Sequence, residues 1–152
     1  MAEHAERARA LFLEGYNCSQ AIAVAFCDIT GLDADTSARL VSGFGGGMSR
    51  MREVCGAVSG IVFVMSAVYG YDRPKDFEGK KYLYGEVQKL LKQFEAQNGS
   101  IVCRELLGLA SKGADSPVPE QRTAQYYKKR PCPDLIYAAA EILENYIKER
   151  QS

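Results

Sequence analysis

The chain has 152 residues, and its 19 Lys and Arg residues are balanced by 19 Asp and Glu residues. This length predicts a single domain, residues 1–152, whose core forms without the help of disulfide bonds. Because the charges cancel, no overall field attracts a polyanion or an anionic membrane surface, and we expect neither a nucleic-acid partner nor a membrane partner.

The first predicted helix runs from Ala2 to Leu13, a charged and alanine-rich segment that Gly15 ends. Charged residues occupy this segment from its start, so it lacks the apolar stretch of a secretory signal peptide. We therefore predict a cytoplasmic protein, in which cysteines more often bind metal or do redox chemistry than form structural disulfides. His4 is the only histidine, and its place in the charged first turn predicts that it is exposed.

Two more helices are predicted before the glycine-rich part of the chain. Asn17 is a suitable N-cap for a helix that continues to about Ile29, and Gly31 is a suitable residue to close it. A short helix is predicted over residues 35–42, with one of its first two residues, Asp or Thr, as the cap.

The segment from Glu53 to Gly70 is rich in apolar residues on all sides. Its Val and Ile content would also suit a strand, but its length favours a helix. An overlapping uncharged run, Val54 to Tyr71, approaches the length of a membrane span. Small and polar residues interrupt this run at Gly56, Ser59, Gly60, Ser66 and Gly70. We therefore predict a buried central helix.

Three helices are predicted in the second half of the chain. Residues 76–97 carry apolar side chains at three- and four-residue steps and end at an Asn-Gly pair. Ser100 is a suitable cap for a helix that reaches Gly108, and residues 111–120 read as a loop-like linker. The last helix has the clearest amphipathic pattern, at Leu135, Ile136, Ala139, Ile142, Leu143, Tyr146 and Ile147. The sequence therefore predicts an all-α, single-domain bundle of about five to seven helices, with a glycine-rich loop before the buried central helix.

Four of the five cysteines lie at or near predicted helix N-termini, namely Cys18, Cys55, Cys103 and Cys132. Unpaired backbone N–H groups and the helix dipole at such a position lower the pKa of a thiol and favour the thiolate, which binds metal or attacks sulfur. No two of these cysteines have the Cys-x-x-Cys spacing of common zinc sites, so helix packing must bring them together. Cys27 lies in mid-helix among apolar residues, where an inert buried cysteine is expected.

Three successive glycines, Gly45, Gly46 and Gly47, precede Cys55. Glycine permits positive φ and a close approach of bare backbone, so N–H groups in this segment can point at a sulfur or a bound anion. We predict that the three glycines border a cofactor, and a flexible connector is the alternative. The segment does not match a phosphate-binding motif, because it lacks the third glycine of a dinucleotide fingerprint and the Gly-Lys-Ser/Thr of a P-loop.

Basic residues near the predicted site are weaker candidates for a functional role. Arg50 and Arg52 closely follow the glycines and are placed to tune the charge of the site or to dock a partner. The run Tyr126 to Arg130, YYKKR, could bind an acidic partner, but a solvated helix face is the simpler interpretation.

The order and surroundings of the cysteines resemble a redox-active protein family named for the pattern Cys…Gly-Cys-Ala-x-x-Gly…Cys…Cys. The matching segments, in chain order, are YNCSQA, FGGGMSRMREVCGAVSG, CRELLG and RPCPDLI. In this chain Cys55 and Gly56 stand in the reverse order to that name. The resemblance implies a helical domain with four functional cysteines and a redox role. It also implies an iron–sulfur cluster, which the cysteines of a related domain, fused to a haem protein, are taken to hold.

The leading hypothesis is a redox or electron-transfer protein that exchanges electrons with an unidentified partner protein. In it, Cys18, Cys55, Cys103 and Cys132 ligate an iron–sulfur cluster of the two-iron type, which four soft thiolates suit. Two alternatives stay open. One is a metal-free carrier in which two of the cysteines cycle between dithiol and disulfide, and the other is a structural zinc site in an interaction module.

Overall fold

The computed structural model describes residues 2–109 and 113–151, and this part of the chain contains ten α-helices, one short 3-10 helix at Ser42–Phe44 and no β-strand. The α-helices are α1 (Glu3–Glu14), α2 (Cys18–Ala25), α3 (Cys27–Thr30), α4 (Ala34–Leu40), α5 (Gly45–Met48), α6 (Gly56–Tyr69), α7 (Phe77–Asn98), α8 (Cys103–Leu106), α9 (Ala124–Lys129) and α10 (Cys132–Gln151). The all-α prediction is confirmed. The predicted number of five to seven helices was too low, because several short helical turns separate the long helices.

The centre of the fold is α6, which packs against α2, α7 and α10, while α1 packs against α2 and α10. Most of the largest fully buried side chains come from these five helices, namely Phe12, Ile22, Ile61, Met65, Val58, Val64, Phe94, Ile136 and Leu143, while Phe26 lies between α2 and α3. The helix predicted between Glu53 and Gly70 therefore exists, but it begins at Gly56. The preceding residues are extended because Val54 forms a single antiparallel bridge with Val102.

Two glycines of α6 allow α2 to lie directly against it. A Cβ atom at Gly60 would be 2.6 Å from the Cβ of Ile22, and one at Gly56 would be 3.0 Å from the Cβ of Cys18. The distance at Gly60 is shorter than side chains tolerate and the distance at Gly56 is tight, so the close approach of these two helices depends on the absence of a side chain at Gly60. The same contact holds Cys18 beside the start of α6.

The observed helix caps match the predicted caps only in part. Asn17 caps α2 as predicted, because its side chain accepts a hydrogen bond from the Gln20 N–H at 2.9 Å, and the side-chain oxygen of Gln20 accepts one from the Asn17 N–H. The helix ends at Ala25, however, because the backbone turns at Phe26 before α3 begins. The cap of α4 is Asp33, not either of the two residues predicted.

In the second half, α7 and α10 cover the predicted segments, with Asp76 as the cap of α7 and Gly99 at φ 93° after its end. The helix expected to start at Ser100 begins at Cys103, because the bridge to Val54 keeps Val102 extended, and the Ser100 hydroxyl accepts the Val102 N–H. Residues 111 and 112 of the predicted linker lie outside the described residues, and 113–123 contain no helix. No helix within 2–109 or 113–151 is long and apolar enough to cross a membrane.

His4 is not exposed as predicted, because the side chain keeps only 13 % of its accessible surface. Its Nδ1 lies 2.6 Å from a carboxylate oxygen of Glu144, and its Nε2 lies 2.9 Å from one of Asp28. The imidazole also stacks on the ring of Phe26 at a centroid distance of 4.5 Å. His4 therefore joins α1 to α3 and α10, which sequence periodicity alone could not indicate.

We expect Glu144→Gln to lower the free energy of unfolding at neutral pH by about 1–3 kcal/mol. Burial alone would raise the pKa of Glu144, but hydrogen bonds from the backbone and side chain of His4 outweigh burial, and the pKa is lowered. A lowered pKa contributes stability above the unfolded-state pKa, and that contribution disappears as the pH falls through the folded-state pKa. Urea unfolding at about pH 7 and about pH 3 should therefore show a difference between the variant and the wild type that narrows in acid.

The matched control is Glu141→Gln, an exposed position on the same helix, where we expect a change within about 0.5 kcal/mol. If both variants lose the same stability, or if the difference for Glu144→Gln does not narrow in acid, the described role of His4 in holding this carboxylate is wrong.

Candidate functional site

Four cysteines lie at helix N-termini in the structure. Cys18, Cys103 and Cys132 are the first residues of α2, α8 and α10, and Cys55 is the N-cap of α6. Cys27 also begins a short helix rather than lying in mid-helix, and its sulfur is 3.5 Å from the hydroxyl of Ser37. Nothing connects it to the other four thiols, so it stays outside the candidate site.

The four thiols converge on one region although they are far apart in sequence. The side chains of Cys18 and Cys132 lie close enough to interact, and this interaction shifts the pKa of both thiols. Cys55 and Cys103 are close enough to each other and to this pair for all four sulfur groups to interact electrostatically. Cys55 and Cys103 are buried, with 5 % and 8 % exposure, whereas Cys18 and Cys132 are half-buried. The site therefore has an inner pair and an outer pair.

A short antiparallel contact positions the inner pair. The Cys55 N–H donates to the carbonyl of Ile101 at 2.8 Å, and the Cys103 N–H donates to the carbonyl of Glu53 at 2.6 Å. These two hydrogen bonds flank the bridge between Val54 and Val102. The start of α6 and the start of α8 are thereby fixed side by side.

The glycine-rich segment that contains α5 does not have right-handed helical backbone angles at Gly46 and Gly47, but forms a left-handed turn. Five successive residues, Gly46 to Arg50, have φ between 51° and 72°, a conformation that costs roughly 1–2 kcal/mol for each residue other than glycine. A Cβ atom on Gly47 would lie 2.5 Å from the Cβ of Cys103, so the turn rests directly on that cysteine. Gly45 differs, with φ −64°, but the side chain of Asn17 fills the place where its Cβ would be. The positive φ and the close approach are thus found at Gly46 and Gly47, whereas a role in holding a cofactor stays a prediction.

A buried arginine connects the turn to the inner pair. Arg52 is 5 % exposed, and its Nη1 lies 3.6 Å from the sulfur of Cys103 while its Nε donates to Asp115 at 2.8 Å. The hydrogen bond from Arg52 also lowers the pKa of Asp115. Arg52 therefore brings a paired positive charge into the site.

The two thiols of the outer pair have different pKa values, because Cys18 keeps its proton while Cys132 is stabilised as a thiolate. The hydrogen bond from Cys18 lowers the pKa of Cys132, and the charges of Arg130, Arg52 and Arg122 act in the same direction against the effect of burial. The same hydrogen bond, together with burial, raises the pKa of Cys18 well above its ordinary value. Cys132 is therefore the first thiol of the pair to ionise, and Cys18 keeps its proton.

The inner pair does not follow the expectation that a helix N-terminus lowers the pKa of a thiol. Burial raises the pKa of Cys55 to about 12, although the N–H groups of Val58 and Ala57 act against it. Burial also raises the pKa of Cys103 more than the neighbouring Arg52 lowers it. Only the pKa of Cys132 is lowered, and the causes are the neighbouring Cys18 and three arginines rather than the start of α10.

Within residues 2–109 and 113–151, no group of three or more His, Cys, Asp or Glu side chains is placed to hold a metal ion. The gathering of four thiols matches the ligand number of an iron–sulfur cluster, but the sulfurs do not form a ligand shell as they stand.

A cavity of about 420 Å³ lies beside the outer pair and is lined by both Cys18 and Cys132. Its walls also carry four arginines, namely Arg50, Arg52, Arg122 and Arg130. Sequence reasoning named the first two as weak candidates, did not consider Arg122, and assigned Arg130 to a solvated helix face. The only sequence signal for Arg130 is that it comes two residues before Cys132.

The chain matches a protein family over most of its length. The model of the family described as "Putative redox-active protein (C_GCAxxG_C_C)" matches residues 16–146. This range contains all four converging cysteines and the left-handed turn. No curated protein and no solved structure matches the chain significantly.

Proposed function

We propose that this chain, which belongs to the C_GCAxxG_C_C family of redox-active proteins, transfers electrons by thiol–disulfide exchange at Cys18 and Cys132. The observation that carries the proposal is that these two thiols lie side by side in the wall of one cavity. A nucleophilic cysteine needs a low pKa and access to its substrate, and a second thiol in contact is required to resolve the mixed disulfide.

The exchange has two steps. The thiolate of Cys132 attacks one sulfur of a substrate disulfide, the substrate S–S bond breaks, and one substrate thiolate leaves. Cys18 then attacks the sulfur of Cys132, which releases the second substrate thiol and forms the Cys18–Cys132 disulfide. Two electrons pass from the protein dithiol to the substrate, and its two leaving groups take up two protons.

The same contact sets the order of the two steps. While Cys132 is a thiolate, the hydrogen bond to it is the largest cause that raises the pKa of Cys18. Once Cys132 is part of a mixed disulfide, its charge is gone and this cause is removed. Cys18 therefore ionises more easily when its attack is needed, and not before.

Cys55 and Cys103 favour a second candidate, an iron–sulfur cluster of the two-iron type held by all four cysteines. Thiol–disulfide exchange at the outer pair gives the inner pair no role, whereas a cluster with four thiolate ligands uses both pairs. Metal binding would displace the protons that burial keeps on the inner thiols. Such a cluster would supply one-electron transfer, and the N–H groups of Ala57 and Val58 and the guanidinium of Arg52 lie near the inner sulfurs to tune its potential.

Iron analysis, visible absorption and a thiol count on protein prepared without oxygen distinguish the two candidates. For thiol–disulfide exchange, we expect iron-free protein that loses two of its five free thiols when a mild disulfide is added. Peptide mapping by mass spectrometry should then show a Cys18–Cys132 bond. Stoichiometric iron with visible absorption would favour the cluster instead, and iron-free protein with a different cysteine pair oxidised would contradict both.

A further inference from the structure

The cavity beside Cys18 and Cys132 has more positive than negative charge in its wall. Asp115 is shared by two of the four arginines, since it accepts from Arg52 at 2.8 Å and lies 3.9 Å from Arg50. Arg130 forms an ion pair with Glu120. Four guanidinium groups thus face two carboxylates, which leaves a positive excess next to the thiols.

Arg122 carries the clearest part of this excess. Its guanidinium donates to the carbonyl oxygens of Phe12 at 2.6 Å and Tyr16 at 2.8 Å. It also lies 4.1 Å from the centre of the Phe12 ring. Among residues 2–109 and 113–151, no carboxylate lies within ion-pair distance of it. Arg122 is therefore a charge held in position by neutral groups, and such a preorganised guanidinium is suited to bind a carboxylate or another anion.

We propose that the cavity binds a small disulfide that bears carboxylates, and that Cys132 and Cys18 reduce it to two thiols. This inference rests on the proposed exchange function and names its class of substrate. The volume lies in the range of small-molecule sites, and Tyr126, Pro117 and Pro119 give the cavity apolar wall for the carbon chain. A thiolate that attacks a dianion meets like-charge repulsion, and the excess of arginines compensates for it.

Three small disulfides of similar size and different charge test the proposal. Dithiodipropionate is a dianion, bis(2-hydroxyethyl) disulfide is neutral and cystamine is a dication. For each compound, we divide its rate of reduction by the fully reduced protein by its rate of reduction by free 2-mercaptoethanol. This ratio removes differences in intrinsic reactivity among the three disulfides. We expect the dianion to be favoured over the dication by about tenfold or more at low salt, and the preference to fall as salt is added.

Variants of two arginines test whether these side chains cause the preference for the dianion. Arg122→Gln and Arg50→Gln should each lower the preference for the dianion several-fold, whereas Arg122→Lys, which keeps the charge, should retain part of it. Arg73→Gln is the matched control, because Arg73 is exposed and lies outside the cavity, and it should leave all three rates unchanged. Because Arg122 also binds two carbonyl groups and its loss can disturb folding, Arg50→Gln provides an independent test.

A binding measurement separates failure of this inference from failure of exchange itself. Suberate is the dicarboxylate in which two methylenes replace the two sulfurs of dithiodipropionate, so it can bind but cannot be reduced. If the three corrected rates are equal and suberate does not bind in calorimetry, the anion site is wrong while exchange stands. If suberate binds to wild type and not to Arg122→Gln, but no disulfide is reduced, the anion site stands and exchange is wrong.

Discussion

Cys132→Ser is expected to abolish reduction of disulfides, and Cys18→Ser is expected to stop the reaction after its first step. In Cys132→Ser the Cys132 thiolate no longer raises the pKa of Cys18, but burial still raises it, so the rate of reaction should fall by about 100-fold or more. In Cys18→Ser the thiolate of Cys132 can still attack, but no thiol resolves the product. Mass spectrometry of the intact protein should show one stable mixed disulfide per chain on Cys18→Ser and none on Cys132→Ser.

A pH profile shows whether the contact between the two thiols produces the reactivity. The hydrogen bond from Cys18 is the largest cause that lowers the pKa of Cys132. Cys18→Ala removes the donor, so the pKa of Cys132 should rise and less thiolate should be present at neutral pH. The midpoint of the pH dependence of iodoacetamide alkylation at Cys132 should therefore shift to higher pH in Cys18→Ala.

The control for both measurements is Cys27→Ser, since Cys27 lies outside the site and contacts Ser37. We expect it to react like the wild type. If Cys18→Ala leaves the alkylation midpoint unchanged, the contact does not set the reactivity of Cys132. If Cys18→Ser completes the reaction, another thiol, Cys55 or Cys103, is the resolving group.

The long helices could be predicted because each carries a local signal. The apolar periodicity of α7 and α10 and the cap at Asn17 depend on residues within about one or two turns, and all three agree with the structure. The short helix α4 was also predicted, but the bounds of other short elements could not be predicted in this way. The delayed start of α8 depends on a bridge between Val54 and Val102, which are far apart in sequence, and no local pattern contains that information.

The location of the cysteines at helix N-termini could also be predicted, but their chemistry could not. The pKa of a thiol depends on burial and on neighbours that tertiary packing supplies. Burial of Cys55 outweighs the N–H groups at the start of its helix, and the contact with Cys18 decides the pKa of Cys132. A sequence shows which residues start helices, but it does not show which of them remain accessible to water.

Two arginines of the cavity, Arg122 and Arg130, could not be identified from the sequence for a related reason. Arg122 belongs to an irregular segment after α8 and reaches the carbonyl groups of α1 and its following turn. No periodicity relates these residues, so the sequence gives no reason to place this guanidinium beside Cys18 and Cys132. The positive character of the cavity is a product of three separate segments that meet only in the folded chain.

Gly47→Ala is expected to lower the free energy of unfolding by about 2–5 kcal/mol, as the sum of two effects. The residue has φ 69°, which an alanine adopts only with strain. The added Cβ would also lie 2.5 Å from the Cβ of Cys103 and 2.9 Å from the Cα of Arg52. Because the second contact is with backbone, rotation of a side chain cannot relieve it, and the left-handed turn must move away from α8.

Gly31→Ala separates the two effects, because Gly31 has φ 79° and no atom within 4 Å of an added Cβ. This control should lose only the conformational part, about 1–2 kcal/mol, in the same urea titration. Displacement of the turn in Gly47→Ala should also separate Arg52 from Cys103 and expose the inner thiols. The number of thiols that alkylate in the native protein should therefore rise in Gly47→Ala and not in Gly31→Ala. Equal stability and equal alkylation in the two variants would mean that the turn does not rest on Cys103.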